Sequence, residues 1–103
     1  MRSRALAQIP KPVAEDLSRL GDLIRQARSR RGFTQAELAE RLRLSPTTVR
    51  AAEQGDPAVA VGIVVSLLWI LGIGPISSSV AASHPEASQP KQRVRAGKRL
   101  DDF

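Results

Sequence analysis

A short polar segment near the middle of the chain combines small hydroxyl side chains with an arginine. Small side chains come first, at Ser45, Thr47 and Thr48, and an arginine follows at Arg50. Small side chains let a helix backbone approach the floor of the major groove, and an arginine can bond both acceptors of a guanine edge. Hydroxyls and the N–H groups at a helix start can hold phosphates. The segment is therefore a candidate nucleic-acid contact surface.

Two short helices joined by a tight turn are predicted to position this surface. Thr34 is a natural N-cap, and Glu37 three residues later completes a capping box. Ser45 caps the second helix, which has Pro46 at its first position and ends before Gly55. The apolar residues on one face of the first helix are Ala36, Leu38, Ala39 and Leu42. This layout is that of a helix-turn-helix, whose second helix enters the major groove.

Further helices are predicted on both sides. An earlier helix runs from Val13 to near Arg31, with Gly32 as a left-handed C-cap. A fourth covers about residues 61–71, and residues 76–82 form a short fifth. The residues that share one face of the earliest helix are Leu17, Leu20, Ile24, Ala27 and Arg28.

The composition divides the chain into three parts. We expect a flexible arm over residues 1–11, a helical domain for DNA binding and dimerisation over residues 12–82, and a basic tail over residues 83–103. The tail has too few apolar residues to build a core, so we expect it to be disordered when alone. With 103 residues, the chain has room for one small domain.

Charge and composition narrow the classes of function. The net charge is +6 and arginine dominates the cations, which favours nucleic acid, although a GC-rich genome would give the same bias. The chain lacks cysteine, its one histidine, His84, lies in a Ser/Pro/Ala-rich stretch, and no carboxylate cluster or Gly-rich phosphate loop occurs. We therefore expect no enzyme activity, no cofactor and no metal. The apolar residues 58–73 fall short of the roughly 20 that a membrane span needs.

The fourth helix is apolar around its whole circumference. One face can cover the preceding helices, and the other needs a partner in so small a chain. A two-fold partner would place two recognition helices about 34 Å apart on DNA. The alternative is that the fifth helix and the tail cover this face within one chain. The predicted dimer-interface residues are Ile63, Val64, Leu67, Leu68, Trp69 and Leu71.

The strings at residues 34–39 and 53–55 carry a family likeness. With them, residues 20–55 resemble the Cro/C1-type (Xre-type) helix-turn-helix domain of phage repressors. The resemblance implies an all-α, five-helix, lambda-repressor-like bundle that binds palindromic operator DNA as a homodimer. It also implies that Arg28 and Glu53 form a buried salt bridge between the helices that carry them.

The same resemblance assigns roles to single residues. The base-reading residues that it implies are Pro46, Thr47, Arg50 and Ala51. It gives Gln35 a phosphate contact, and the candidates for phosphate binding are Thr34, Gln35, Ser45 and Thr48. The family usually has glycine where this chain has Arg43. Either Arg43 takes the left-handed conformation, at a cost of about 1 kcal/mol, or the turn is re-routed.

A narrower likeness lies outside the DNA-reading segment. Residues 53–57, the apolar residues 68–72 and the tail strings at 90–95 and 100–103 are similar to HipB-like antitoxins. The resemblance implies the antitoxin of a type II toxin-antitoxin system, which represses its own operon and neutralises a HipA-type serine/threonine kinase toxin. The tail residues predicted to dock on the toxin are Arg93, Arg95 and Phe103.

Two other functions remain open from the sequence. One is a stand-alone phage-type repressor without a protein partner. The other is an interaction-only adaptor that has kept the fold and lost DNA binding. For the repressor and the antitoxin alike we expect a bacterial cytoplasmic protein associated with the nucleoid, and no membrane.

Overall fold

The computed structural model describes residues 9–88, and this part of the chain is helical without any strand. The all-α fold class is confirmed. The helices, in chain order, are α1 Lys11–Arg30, α2 Gln35–Leu42, α3 Pro46–Glu53, α4 Val61–Ile70, α5 Ile76–Ser83 and α6 Pro85–Ser88. Five of them correspond to the five predicted helices, and α6 is one additional turn.

Polar caps set the starts of α2 and α3, as predicted. The backbone N–H of Glu37 donates to Thr34 Oγ1 at 3.0 Å, and the N–H of Thr34 donates to Glu37 Oε1 at 2.8 Å. The N–H of Thr48 donates to Ser45 Oγ at 3.1 Å. Each cap satisfies N–H groups that the helix itself cannot. The first residue of each helix is therefore fixed by a side chain that the sequence supplies.

The turn between α2 and α3 keeps its left-handed residue. Arg43 has φ 59° and ψ 42°, so the turn is not re-routed around the missing glycine. The N–H of Leu44 donates to the carbonyl of Ala39 at 2.8 Å, which closes the end of α2. The side chain at Arg43 costs the chain about 1–2 kcal/mol relative to an unstrained position. The backbone at this position nevertheless has the left-handed conformation that a glycine would adopt.

One apolar core joins α1 to α4. The largest fully buried side chains come from all four helices: Ile24, Leu38, Val49, Leu67 and Leu68. Val49 of α3 is buried in the same core as Leu38, so it faces inward. The opposite side of α3 is thereby left to solvent.

Two glycines bring α1 and the end of α3 into backbone contact. A Cβ on Gly21 would overlap the carbonyl of Glu53, and one on Gly55 would lie 2.8 Å from the backbone nitrogen of Ser18. Gly55 also has φ 75°, which disfavours any other residue. The carboxyl end of α3 therefore rests directly on α1, and α3 is held at a fixed position across it.

The remaining described residues form α4 to α6. The predicted fourth helix over 61–71 is observed as Val61–Ile70, and the predicted fifth over 76–82 as Ile76–Ser83. The helix Pro85–Ser88 lies in the segment that we assigned to the tail. Most of the predicted arm and the tail from residue 89 onward, including Arg93, Arg95 and Phe103, lie outside the described residues. Between residues 9 and 88, no helix combines the length and the apolar character that crossing a bilayer requires.

Candidate nucleic-acid interface

The outward face of α3 carries the predicted base-reading residues. Pro46, Thr47 and Arg50 are exposed, and Ala51 is half-buried. Within residues 9–88, the Arg50 guanidinium forms neither a hydrogen bond nor an ion pair. Its five N–H donors are therefore available to an external ligand, and their planar arrangement matches the acceptor pair of a guanine edge.

Two hydroxyls sit together at the start of α3. Ser45 Oγ and Thr48 Oγ1 lie 2.9 Å apart and share one hydrogen bond. Since each hydroxyl has one proton, the pair has one proton left to donate outward. The predicted phosphate contact of these two residues thus amounts to a single hydroxyl donor next to the helix start.

The start of α2 carries the other predicted phosphate contacts. Thr34 is exposed; its Oγ1 accepts from Glu37, and its own hydroxyl proton is not used for the cap. Gln35 is half-buried, and its Nε2 donates to Glu53 Oε1 at 2.9 Å. One amide N–H of Gln35 is therefore bound inside the protein, and the second remains for a ligand.

The implied salt bridge between α1 and α3 is present. Arg28 Nε donates to Glu53 Oε2 at 2.6 Å, and Arg28 Nη2 donates to Glu53 Oε1 at 3.2 Å. Arg28 Nη1 also donates to the carbonyl of Phe33 at 2.9 Å. The Glu53 side chain is only 3% exposed and that of Arg28 15%. The pair therefore holds α3 against α1 inside the protein and does not face a ligand.

A groove between α1 and α3 brings the two kinds of contact together. Gln35 and Arg50 both line it, with Glu53 at its base. Its other lining residues, none of which was among the predicted site residues, are Ser18, Asp22, Arg25 and Gln54. Three of these lie on α1 at i, i+4 and i+7. This spacing is visible in the sequence and indicates that the three residues share one helix face.

A second surface lies on α4, away from the core. Val61 and Trp69 are 77% and 71% exposed, and Val65 lies exposed between them at helical spacing. We call these three residues the apolar stripe. Spacing of i, i+4 and i+8 places them on one face. Val61 and Val65 were not among the predicted interface residues.

The structure corrects the predicted dimer interface. Of the six residues chosen from the sequence, three are buried within the chain: Leu67, Leu68 and Leu71. They pack against α1 to α3 and offer no surface to a partner. Ile63 and Val64 are half-buried against the same core, and Trp69 alone is largely exposed.

The described residues contain no group of three or more His, Cys, Asp or Glu side chains placed to hold a metal ion. The titratable groups near the groove are paired or solvated: Asp22 lies 3.6 Å from Arg25 in an exposed ion pair. The groove offers a ligand the donors of Arg50, Gln35 and Ser18, and the Asp22 carboxylate that also lines it is paired with Arg25.

A capped α2, a tight turn and an α3 with an open arginine face define a helix-turn-helix, the fold class of DNA-binding regulators. A comparison with known protein families also identifies a helix-turn-helix. Residues 19–76, more than half of the 103, match the family described as helix-turn-helix domain. The chain belongs to this family, and the match supports its Xre-like character. No curated protein matches the chain.

Proposed function

We propose that the chain is a sequence-specific transcriptional repressor that binds palindromic operator DNA as a homodimer through α3. The observation that carries this proposal is the open guanidinium of Arg50. It projects from a helix that is capped at Ser45 and braced at Glu53. A side chain with no partner among residues 9–88, on a helix held at both ends, is suited to read a base edge rather than to stabilise the fold.

The surroundings of Arg50 support a polyanionic ligand. Gln35 and the Ser45–Thr48 hydroxyl pair flank α3 and provide neutral donors of the kind that hold phosphates. The whole chain carries a net charge of +6, which attracts DNA without regard to sequence. Arg50 then supplies the preference for one base pair.

The apolar stripe supports the homodimer. Three large apolar side chains on one helix face lie exposed in the single chain, and such a surface is usually covered by a partner. Since a two-fold dimer uses the same surface on both copies, the stripe of one copy would pack on that of the other. Dimerisation through α4 would present two α3 helices to two half-sites.

The test replaces Arg50 with alanine. We expect operator affinity to fall by about 1–3 kcal/mol, with the preference lost at one base pair in each half-site. The measurement is a set of titrations against an operator and its single base-pair variants. Arg30→Ala is the control, because Arg30 is an exposed arginine at the end of α1. This control should leave the order of preference unchanged. If Arg50→Ala also leaves it unchanged, Arg50 does not read a base.

We further propose that the repressor is a HipB-like antitoxin, cytoplasmic and autoregulating, that holds a HipA-type kinase. Support comes from the likeness at residues 53–57 and 68–72. In the segment that follows α3, Gly55 has φ 75° and the N–H of Ala58 donates to Asp56 Oδ1 at 2.9 Å. The docking residues Arg93, Arg95 and Phe103 are part of this proposal.

Co-purification of a kinase with the full chain tests the antitoxin role. Phe103→Ala should weaken the capture of the kinase and leave operator binding intact. Operator binding without any captured kinase would favour a stand-alone repressor. Kinase capture without salt-dependent DNA binding would favour an interaction-only adaptor.

A further inference from the structure

A buried carboxylate lies beneath the groove that Gln35 and Arg50 line. Glu53 Oε1 accepts hydrogen bonds from both Arg28 Nη2, at 3.2 Å, and Gln35 Nε2, at 2.9 Å. A carboxylate paired with arginine only accepts, so the amide of Gln35 must turn its NH₂ group towards Glu53. Glu53 therefore sets the rotation of the Gln35 side chain as well as closing the salt bridge.

We propose that Glu53 is a positioning residue for the contact between Gln35 and a DNA phosphate. It holds the Gln35 amide so that the second N–H remains available to the groove. Arg28 neutralises the carboxylate, which would otherwise repel the DNA backbone a short distance away. The inference rests on the proposed function, because the contact being positioned is one to DNA.

Arg28, Glu53 and Gln35 form a hydrogen-bond network that does more than hold α1 and α3 together. Arg28 Nη1 holds the carbonyl of Phe33, two residues before Gln35, at 2.9 Å. Glu53 is the last residue of α3, the helix that carries Arg50. One ion pair thus fixes the loop before Gln35, the Gln35 side chain and the end of the recognition helix. Groups held in place before binding lose less freedom on binding, so the network favours affinity.

The test removes the network while keeping the fold. Arg28→Met together with Glu53→Met leaves the net charge unchanged, and apolar replacement of a buried ion pair often preserves stability. We expect affinity for the operator to fall about fivefold, as for one lost hydrogen bond. Affinity for unrelated DNA should fall by the same factor, because phosphate contacts carry no sequence information. Both are measured by fluorescence anisotropy at a temperature where every variant is folded.

A Gln35→Ala background separates positioning from any other effect. If Glu53 acts through Gln35, the same Met pair should change affinity by less than about twofold in this background. An equal loss in both backgrounds would assign the effect to Arg28 or to a shift of α3, and would overturn the inference. So would the absence of any loss in the chain that keeps Gln35. Leu67→Val, a core change on α4, controls for a general loss of stability.

A second measurement tests the inference even if the variant with both Met substitutions does not fold. In the unaltered chain, one Nε2 proton of Gln35 should exchange with water more slowly than those of Gln26, an exposed glutamine on α1. Glu53→Asp, which withdraws the carboxylate by one methylene, should remove this protection. Equal exchange at Gln35 and Gln26 in the unaltered chain would overturn the inference.

The two proposals fail in different ways. If the unaltered chain shows no preference for any DNA sequence, the proposed function fails and the positioning role with it. If the chain binds its operator and Gln35→Ala binds it equally well, only the positioning role is wrong.

Discussion

The two helices of the helix-turn-helix and the helix that carries the apolar stripe are held by different kinds of interaction. In α2 and α3, polar side chains fix the structure: both helices start at a side-chain cap, and Glu53 ties α3 to α1. In contrast, α4 and α5 start at Ala60 and Pro75 without a side-chain cap. A hydrogen bond requires a particular donor and acceptor, whereas an apolar side chain requires only that it be buried. The polar contacts therefore fix the first region at particular atoms, whereas the exposed face of α4 can pack on another surface.

The largest effect should come from breaking the polar brace. Glu53→Ala leaves the charge of Arg28 buried without its partner, so we expect the free energy of unfolding to fall by about 3–5 kcal/mol. Urea denaturation measures it. Asp16→Ala is the control, since the Asp16–Arg19 pair is exposed on α1, and it should change stability by less than about 0.5 kcal/mol. Similar losses for the two variants would show that the brace is not needed.

The next effect should separate the two faces of α4. Trp69→Ala should weaken self-association by about 2 kcal/mol, or roughly thirtyfold, because a large exposed aromatic is a typical interface anchor. Sedimentation equilibrium measures it. Leu67→Ala, on the buried side of the same helix, should instead lower unfolding stability by about 2–5 kcal/mol. Unchanged self-association of Trp69→Ala would remove the apolar stripe from the interface.

The smallest effect should come from relieving the turn. Arg43→Gly places the residue that tolerates φ 59° at the left-handed position between α2 and α3. We expect a gain of about 0.5–1 kcal/mol in unfolding stability, after the entropy cost of glycine in the unfolded chain. Operator preference should stay the same, because the turn already has the glycine geometry. A loss of stability would mean that the Arg43 side chain makes a compensating contact.

The starts of α2 and α3 were predictable because each capping side chain has few possible hydrogen-bond partners. Thr34 with Glu37, and Ser45 with Pro46, gave the starts of α2 and α3, and both caps are present. The Arg28–Glu53 pair followed from the family likeness. The hydrogen bond from Gln35 to Glu53 did not, because the residues lie 18 positions apart and only the packing of α2 against α3 brings them together.

The apolar region was predictable in its helices but not in its faces. A helix that is apolar all round has no periodicity to show which side is buried. Leu67, Leu68 and Leu71 were therefore assigned to the interface, although the neighbouring helices bury them. The spacing of Val61, Val65 and Trp69 marks one face, but only the position of the core shows that this face points outward.

In the proposed repressor, two copies of α3 read one palindromic DNA site. The most direct measurement is enrichment of bound sequences from a random DNA library by the full chain, followed by sequencing. We expect two inverted half-sites with centres about 10–10.5 base pairs apart, one helical turn. A library with no enriched sequence, or with a single half-site that is not repeated, would show that two α3 helices do not read a palindrome together.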